Sequence, residues 1–213
     1  MTDPPVPASK DIDLQALQRR RKQVLALGIC VWVLLLLFTR SRWHASPPVP
    51  ALIEGAGLLA ILVCILGRTW CTLYIGGLKK RELVTTGPYS VVRNPLYLFT
   101  SIGAAGIGAQ TGSGLVAVLF AIGSLAVFQV VARREEAFLA AAFPPDFADY
   151  ARRVARFWPR PSLWREADEL RVKPHLVRRT FLDACLFLLA VPAADVIAWA
   201  QEALHLPVLI QLP

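Results

Sequence analysis

The chain has 213 residues, 55% of them hydrophobic, with a formal charge of +8 and a mean hydropathy of +0.50. Several apolar runs approach the roughly 20 residues needed to cross a hydrocarbon core, which excludes a soluble domain and predicts an all-α, polytopic integral membrane protein. The positive charge would suit a nucleic-acid binder, but no recognition motif interleaves the arginines, and no nucleic-acid partner is expected.

Residues 1–9 are rich in proline and read as disordered, and residues 11–23 read as a short polar helix, together a cytosolic tail. The long charged lead and the lack of a small-residue cleavage site argue against a removed signal peptide. Five spans are expected, at about residues 24–38, 49–66, 96–109, 114–132 and 181–200. The third is short for a full crossing, and the Gln-Thr-Gly-Ser-Gly connection at residues 110–114 is turn chemistry, so spans three and four form a tight helical hairpin. Gly103, Gly106, Gly108 and Gly112 provide small-xxx-small spacing for close helix packing. A phosphate cradle would require a preceding strand, and no alternation of strands and helices exists.

The basic residues assign an orientation. With a cytosolic N-terminus, 21 of the 23 lysines and arginines fall inside and 2 outside. That reading places the C-terminus outside. The excess of arginine (18) over lysine (5) hints at a GC-rich bacterial source, hence the inner membrane. Cys30, Cys64, Cys71 and Cys185 lie in or beside apolar runs without CxxC spacing, and His44, His175 and His205 are scattered, so neither a disulfide framework nor a metal site is predicted.

Between the second and third spans lies a polar loop, residues 82–97, and about forty residues later comes the run Arg133, Arg134, Glu135 and Glu136. A protein that only crossed the bilayer would have little use for this clustering at one face, and it predicts a ligand site at the cytosolic surface. Further on, Phe147, Tyr150, Val154 and Phe157 fall at helical spacing opposite Asp149, Arg152, Arg153 and Arg156. This is the pattern of a helix lying in the membrane interface, with Trp158 and Trp164 suited to the same depth.

The segment TGPYSVVRNPLY, residues 86–97, resembles the TGxYxxxRHPxY signature of the integral membrane methyltransferases related to isoprenylcysteine carboxyl methyltransferase and phospholipid N-methyltransferase. EEAFL at residues 135–139, with Phe143, Tyr150 and residues 153–159, is similar to the tail of the same family. The resemblance covers roughly residues 58–159 within a core at 24–160, leaving a C-terminal segment, 161–213, outside it. It implies S-adenosylmethionine as cofactor, enclosed by Leu83, Val84, Tyr89, Asn94, Pro95, Leu96, Tyr97 and Glu136, with Glu135 as the alternate carboxylate. A lipid-like acceptor would arrive from the bilayer.

Two departures bear on the acceptor. Asn94 replaces the usual histidine, keeping hydrogen-bonding capacity but losing an ionisable ring, and Val131 stands where many members carry an arginine able to hold a substrate carboxylate. Arg133 or Arg134 could substitute for that anchor, with Arg93 nearby in the loop. Displacement at a sulfonium methyl needs alignment and water exclusion more than a strong base. A carboxylate acceptor is ionised already, whereas an amine must first lose a proton. Carboxyl O-methylation of a prenyl-type substrate is therefore favoured, with phospholipid N-methylation or thiol S-methylation as alternatives. A lipid reductase using a nicotinamide is the rival enzyme, and a non-enzymatic membrane scaffold the rival outside catalysis.

Overall fold

The computed structural model describes residues 39–41, 48–76, 82–205 and 210–212. The regular structure of the described residues is helical apart from a parallel pairing of two three-residue strands, β1 (Thr39–Ser41) and β2 (Ile210–Leu212). The expected span at 24–38 and the helix at 11–23 lie outside the described residues. Among the described residues, three helical segments are long and apolar enough to cross a bilayer: Pro48–Ile75, Gly114–Ala142 and Pro174–Ala203. A fourth apolar helix, Pro95–Ala109, has 15 residues and is about 22 Å long at 1.5 Å per residue, short of a hydrocarbon core of about 30 Å.

Proline and turn chemistry set the boundaries. After α1 (Pro48–Ile75), the helices α2 (Pro88–Val91) and α3 (Pro95–Ala109) each begin at a proline, which needs no hydrogen-bond partner for its nitrogen in a first turn. The turn into α4 (Gly114–Ala142) uses Gly112 at φ 68°, and the Ser113 side chain caps α4 by accepting from the Val116 N–H at 3.3 Å. The expected hairpin is thus formed. α4 runs a further ten residues beyond its predicted end, carrying the Arg-Arg-Glu-Glu run on its last turns, and α5 (Pro144–Arg153) follows directly. The last helix also starts earlier than its apolar run suggests. α6 (Pro174–Cys185) leads through a 3-10 step at Leu186–Leu189 into α7 (Ala190–Ala203).

Glycines allow α1, α3 and α4 to approach closely. A Cβ added at Gly57 would lie 2.6 Å from that of Ala109, and one at Gly106 would lie 2.6 Å from the Gly57 carbonyl oxygen. One at Gly108 would come within 2.8 Å of the α4 backbone at Ala117. Lipid supplies no hydrophobic force between helices, so such close van der Waals packing holds them, supplemented here by the 3.1 Å Ser101–Ser124 hydroxyl pair. Tyr97 stacks on Phe128 with ring centroids 4.6 Å apart, tying the start of α3 to the middle of α4. Ile61 and Ile65 of α1 also pack with Ala184 of α6.

Residues 154–166 cross the ends of these helices as an extended strap. The N–H groups of Arg93 and Asn94 donate to the carbonyls of Ala155 (2.9 Å) and Arg156 (3.3 Å), and that of Arg160 donates to Val91 (3.0 Å). Further along, Gly87 N–H donates to the Arg165 carbonyl at 2.7 Å and Tyr74 donates to Glu166 at 2.6 Å. This strap corrects one expectation. Phe147, Tyr150 and Val154 do cluster on one buried face, but the helix stops at Arg153, and Phe157 and Arg156 do not continue it. Backbone pairing with residues 93–94 claims the chain there, and it outweighs the local helical spacing.

Candidate functional site

Residues 82–84, α2, the start of α3, the end of α4 and α5 surround a cavity of about 310 Å³, at the small end of the roughly 300–1,000 Å³ usual for small-molecule sites. Leu83, Val84, Tyr89, Asn94, Pro95, Leu96, Tyr97, Glu135 and Glu136 all line it, as do Arg93 and Arg134. Residues separated by some forty positions are therefore brought to one space. Arg133 does not line it. With its amide oriented to satisfy its neighbours, Gln129 accepts from Arg133 Nη2 at 3.3 Å and from Arg156 Nη1 at 3.2 Å, so Arg133 faces a different side of α4. Val131 lines the cavity, as do Glu82, Ile75, Phe138, Leu139, Phe147 and Tyr150, which were not singled out as cofactor residues from the sequence.

Glu136 is the electrostatic centre of this space. It is buried, and its Oε1 accepts from Asn94 Nδ2 at 2.9 Å. Arg156 grips both oxygens, with Nε 3.0 Å from each and Nη2 2.8 Å from Oε2. Arg93 Nη1 stands 3.6 Å from Oε2. A carboxylate removed from water requires this kind of neutralisation. The hydrogen bonds to Glu136 in turn raise the guanidinium pKa of Arg156, so the arginine stays charged. The helical spacing placed Arg156 on the polar face of the expected interfacial helix, opposite Phe147 and Tyr150. Arg156 is instead the principal partner of the central glutamate.

The two carboxylates of the pair are used differently. Glu136 points into the arginine and asparagine cluster, while Glu135 is a hydrogen-bond partner of the Tyr97 side chain. Tyr150 donates its hydroxyl to the Tyr89 carbonyl at 2.7 Å, which fixes the loop that carries Tyr89. The Tyr89 ring is buried, and its hydroxyl has no hydrogen-bond partner. The Arg93 Nε is likewise buried without one. Burial holds the pKa of both Tyr89 and Tyr150 above the ordinary phenol value, so each hydroxyl is a neutral donor. At Gly87, φ 57° and the Tyr74 ring, which a Cβ would strike, leave room for glycine alone.

The cavity thus combines an apolar and aromatic wall with carboxylate, hydroxyl and guanidinium groups at one end. An orphaned buried hydroxyl is costly unless a ligand completes it. A cationic, adenine-bearing cofactor fits this donor and acceptor set: an apolar slot for the ring and carboxylates for hydroxyl or ammonium groups. Among the described residues, no cluster of three His, Cys, Asp or Glu could hold a metal.

Residues 56–146 match the family model described as Phospholipid methyltransferase. The chain is 35% identical over 210 residues to the "Nickel-cobalt-cadmium resistance protein NccN" of Alcaligenes xylosoxydans xylosoxydans, covering 99% of this chain and 97% of that protein. It is 40% identical over 172 residues to the "Cobalt-zinc-cadmium resistance protein CzcN" of Cupriavidus metallidurans, covering 81% and 79% respectively. No solved structure matches the chain. The TGPYSVVRNPLY signature falls inside the matched region, as does the Arg-Arg-Glu-Glu run, and among the described residues three helices are long and apolar enough to span a bilayer. The chain belongs to the isoprenylcysteine and phospholipid methyltransferase family of membrane proteins.

Proposed function

We propose that the protein transfers a methyl group from S-adenosylmethionine to a lipid-like acceptor at the cytosolic face of a bacterial inner membrane. The observation that carries this reading is the buried Tyr89 hydroxyl without a partner, lining a cavity that also presents Glu135, Asn94 and Tyr97. The cofactor would supply an activated methyl on a sulfonium leaving group. Leu83, Val84, Pro95 and Leu96 would hold its adenine, Glu135 and Tyr89 would take its polar groups, and Glu136 would keep Arg93, Asn94 and Arg156 in place around them. Phe138, Leu139 and Phe147 keep the far wall apolar, which excludes water from a reaction that depends on alignment.

For the acceptor we favour a carboxylate on a prenyl-type lipid. Val131 offers no charge at the cavity wall, and Arg134, one turn away on α4, lines the cavity and has no ion pair among the described residues. Among the described arginines that line the cavity or hold Glu136, it is the available cation, because Arg93 and Arg156 are committed to Glu136. The N-terminus-in topology of the 21 to 2 charge split supports a cytosolic cofactor site. Calorimetric titration of the purified protein with S-adenosylmethionine tests the reading. Binding with transfer of label into a membrane lipid extract is expected, and absence of binding would overturn it.

The resistance names of the two relatives bring a physiological proposal. Esterifying a carboxylate removes an anionic oxygen ligand of the kind that divalent cations bind. A methylated lipid acid would leave fewer such sites at the membrane surface, and loss of the gene should lower tolerance of cobalt or cadmium. Unchanged growth of the deletion strain on graded metal concentrations would separate the chemistry from that role.

A further inference from the structure

A second concavity lies on the other side of α2 from the cavity. It is an apolar groove of about 530 Å³, walled by Trp70 of α1, Val91 of α2, Leu98 and Phe99 of α3, and Pro161 and Trp164 of the strap. Pro95 is its one lining residue shared with the cavity, so a molecule in the groove is not presented to the methyl-transfer site. Trp70 and Trp164 stack at 5.5 Å, and both remain well exposed, as does Trp158 nearby in the strap. Tryptophans with one wet edge and one apolar face favour the boundary between headgroups and acyl chains.

Two arginines adjoin the lining residues of the groove in the strap. Arg160 stands between two lining prolines, Pro159 and Pro161, and Arg165 follows the lining Trp164. Their main chains are pinned to α2, Arg160 through Val91 and Arg165 through Gly87 and Ser90, so both arginines are held beside this groove. Both are exposed, with no ion pair among the described residues. The adjacent carboxylate, Glu166, already accepts from Tyr74 at 2.6 Å. An apolar trough bordered by tryptophans, with two exposed arginines anchored beside it, complements an anionic amphiphile.

We propose that this groove seats one anionic phospholipid, its acyl chain along Leu98 and Phe99 and its phosphate against Arg160 and Arg165. The occupant is a membrane lipid and not free phosphate, because the wall that would hold it is apolar. The seat stands independently of the methyl-transfer reading, since it uses a different face of α2.

The test is photocrosslinking of the full-length protein reconstituted in phosphatidylcholine vesicles that carry a trace of phosphatidylglycerol with a diazirine in one acyl chain. Crosslinks mapping to residues 98–102 and 159–164 are expected. They should fall roughly five-fold in Arg160→Gln and roughly 25-fold in the double variant Arg160→Gln/Arg165→Gln, since each cation near an anionic surface is worth about a factor of five. Both side chains are exposed, so the variants should fold, and circular dichroism with thermal unfolding measured beside the crosslinking checks that they do. Equal yield from a diazirine phosphatidylcholine, unchanged yield in the double variant, crosslinks confined to other segments, or full suppression by inorganic phosphate would each overturn the proposal.

Discussion

Arg156 of the strap and Glu136 of α4 hold each other through three contacts of 2.8–3.0 Å, joining the strap to a helix that lines the cavity. The side chains keep 30% and 10% of their exposure, so the pair is only partly shielded from solvent. Breaking a fully buried pair from one side costs about 3–5 kcal/mol, and partial exposure lowers the expectation to about 2–3 kcal/mol for Arg156→Gln. Glu136→Gln should cost a similar amount, because it leaves Arg93 and Arg156 without their anion. The double variant should be less destabilised than the sum of the singles, with a coupling of about 1–2 kcal/mol. Denaturation of the purified variants in detergent completes the cycle, and additive losses would mean that the two residues do not act as a pair.

The packing of α1 on α3 makes a second expectation. A methyl group at Gly106 would meet the Gly57 carbonyl at 2.6 Å, and main-chain atoms cannot rotate aside. Gly106→Ala should therefore force the helices apart at a cost of about 1–3 kcal/mol, as overpacking does elsewhere. Gly123→Ala, where a Cβ meets nothing within 4 Å, should be neutral or slightly stabilising through helix propensity. Thermal unfolding of the two variants side by side would test the contrast.

The sequence revealed much of this arrangement, for identifiable reasons. The Gly112 turn is a local signal and produced the expected hairpin, and the glycine spacing produced close packing, Gly106 against α1 and Gly108 against α4. The cavity residues from Leu83 to Tyr97 came from a motif, which encodes spatial proximity that spacing alone does not. Arg156 was misread because periodicity assumes that a helix continues, and tertiary pairing of the strap with residues 93–94 ended it at Arg153. The Gln129 contacts, which turn Arg133 away from the cavity, depend on packing between α4 and the strap and leave no mark in the sequence. The charge of the Arg-Arg pair was legible; which member faced the site was not.

Tyr89 allows stability and binding to be separated. Its hydroxyl is buried without a partner, so Tyr89→Phe removes an unsatisfied group and should leave the ligand-free protein as stable as before or up to about 1 kcal/mol more stable. The same change should weaken S-adenosylmethionine by roughly ten-fold, the worth of one hydrogen bond to a charged or polar ligand group. A Tm held or raised, together with a weaker calorimetric Kd, is the expected pattern. A lowered Tm with unchanged affinity would place the hydroxyl outside the binding site.

Alkaline pH should act through the same residues. Burial raises the folded-state pKa of Tyr89 and Tyr150 above the value of about 10 for a phenol in an unfolded chain. A raised pKa means that the folded state keeps its proton longer, so their contribution is complete below about pH 10 and is lost as pH rises toward the folded values. Stability should fall only above about pH 10, with tyrosinate absorbance from these two appearing together with unfolding. The slope should be shallower in Tyr89→Phe. Tyrosinate formation by all four tyrosines before any unfolding would contradict the buried environment.

The acceptor is decided at Arg134. This arginine lines the cavity while Arg133 is turned toward Gln129, so the two neighbours should behave differently although both carry the same charge. If the acceptor is a carboxylate, Arg134→Gln removes a charge-assisted contact worth about 1.5–3 kcal/mol, and methyl transfer should fall by roughly ten-fold to a hundred-fold. S-adenosylmethionine affinity should change little, because the lost contact belongs to the acceptor. Arg133→Gln should leave transfer within about two-fold, the range of an exposed surface substitution. An amine acceptor reverses the pattern: Arg134→Gln would then relieve repulsion of the ammonium, and the rate would rise with pH as free base accumulates. Radiolabelled S-adenosylmethionine with the organism's own lipid extract distinguishes them chemically. Base-labile, volatile label lost in Arg134→Gln and retained in Arg133→Gln is the expected result, and base-stable label on a lipid headgroup would replace the carboxylate with an amine.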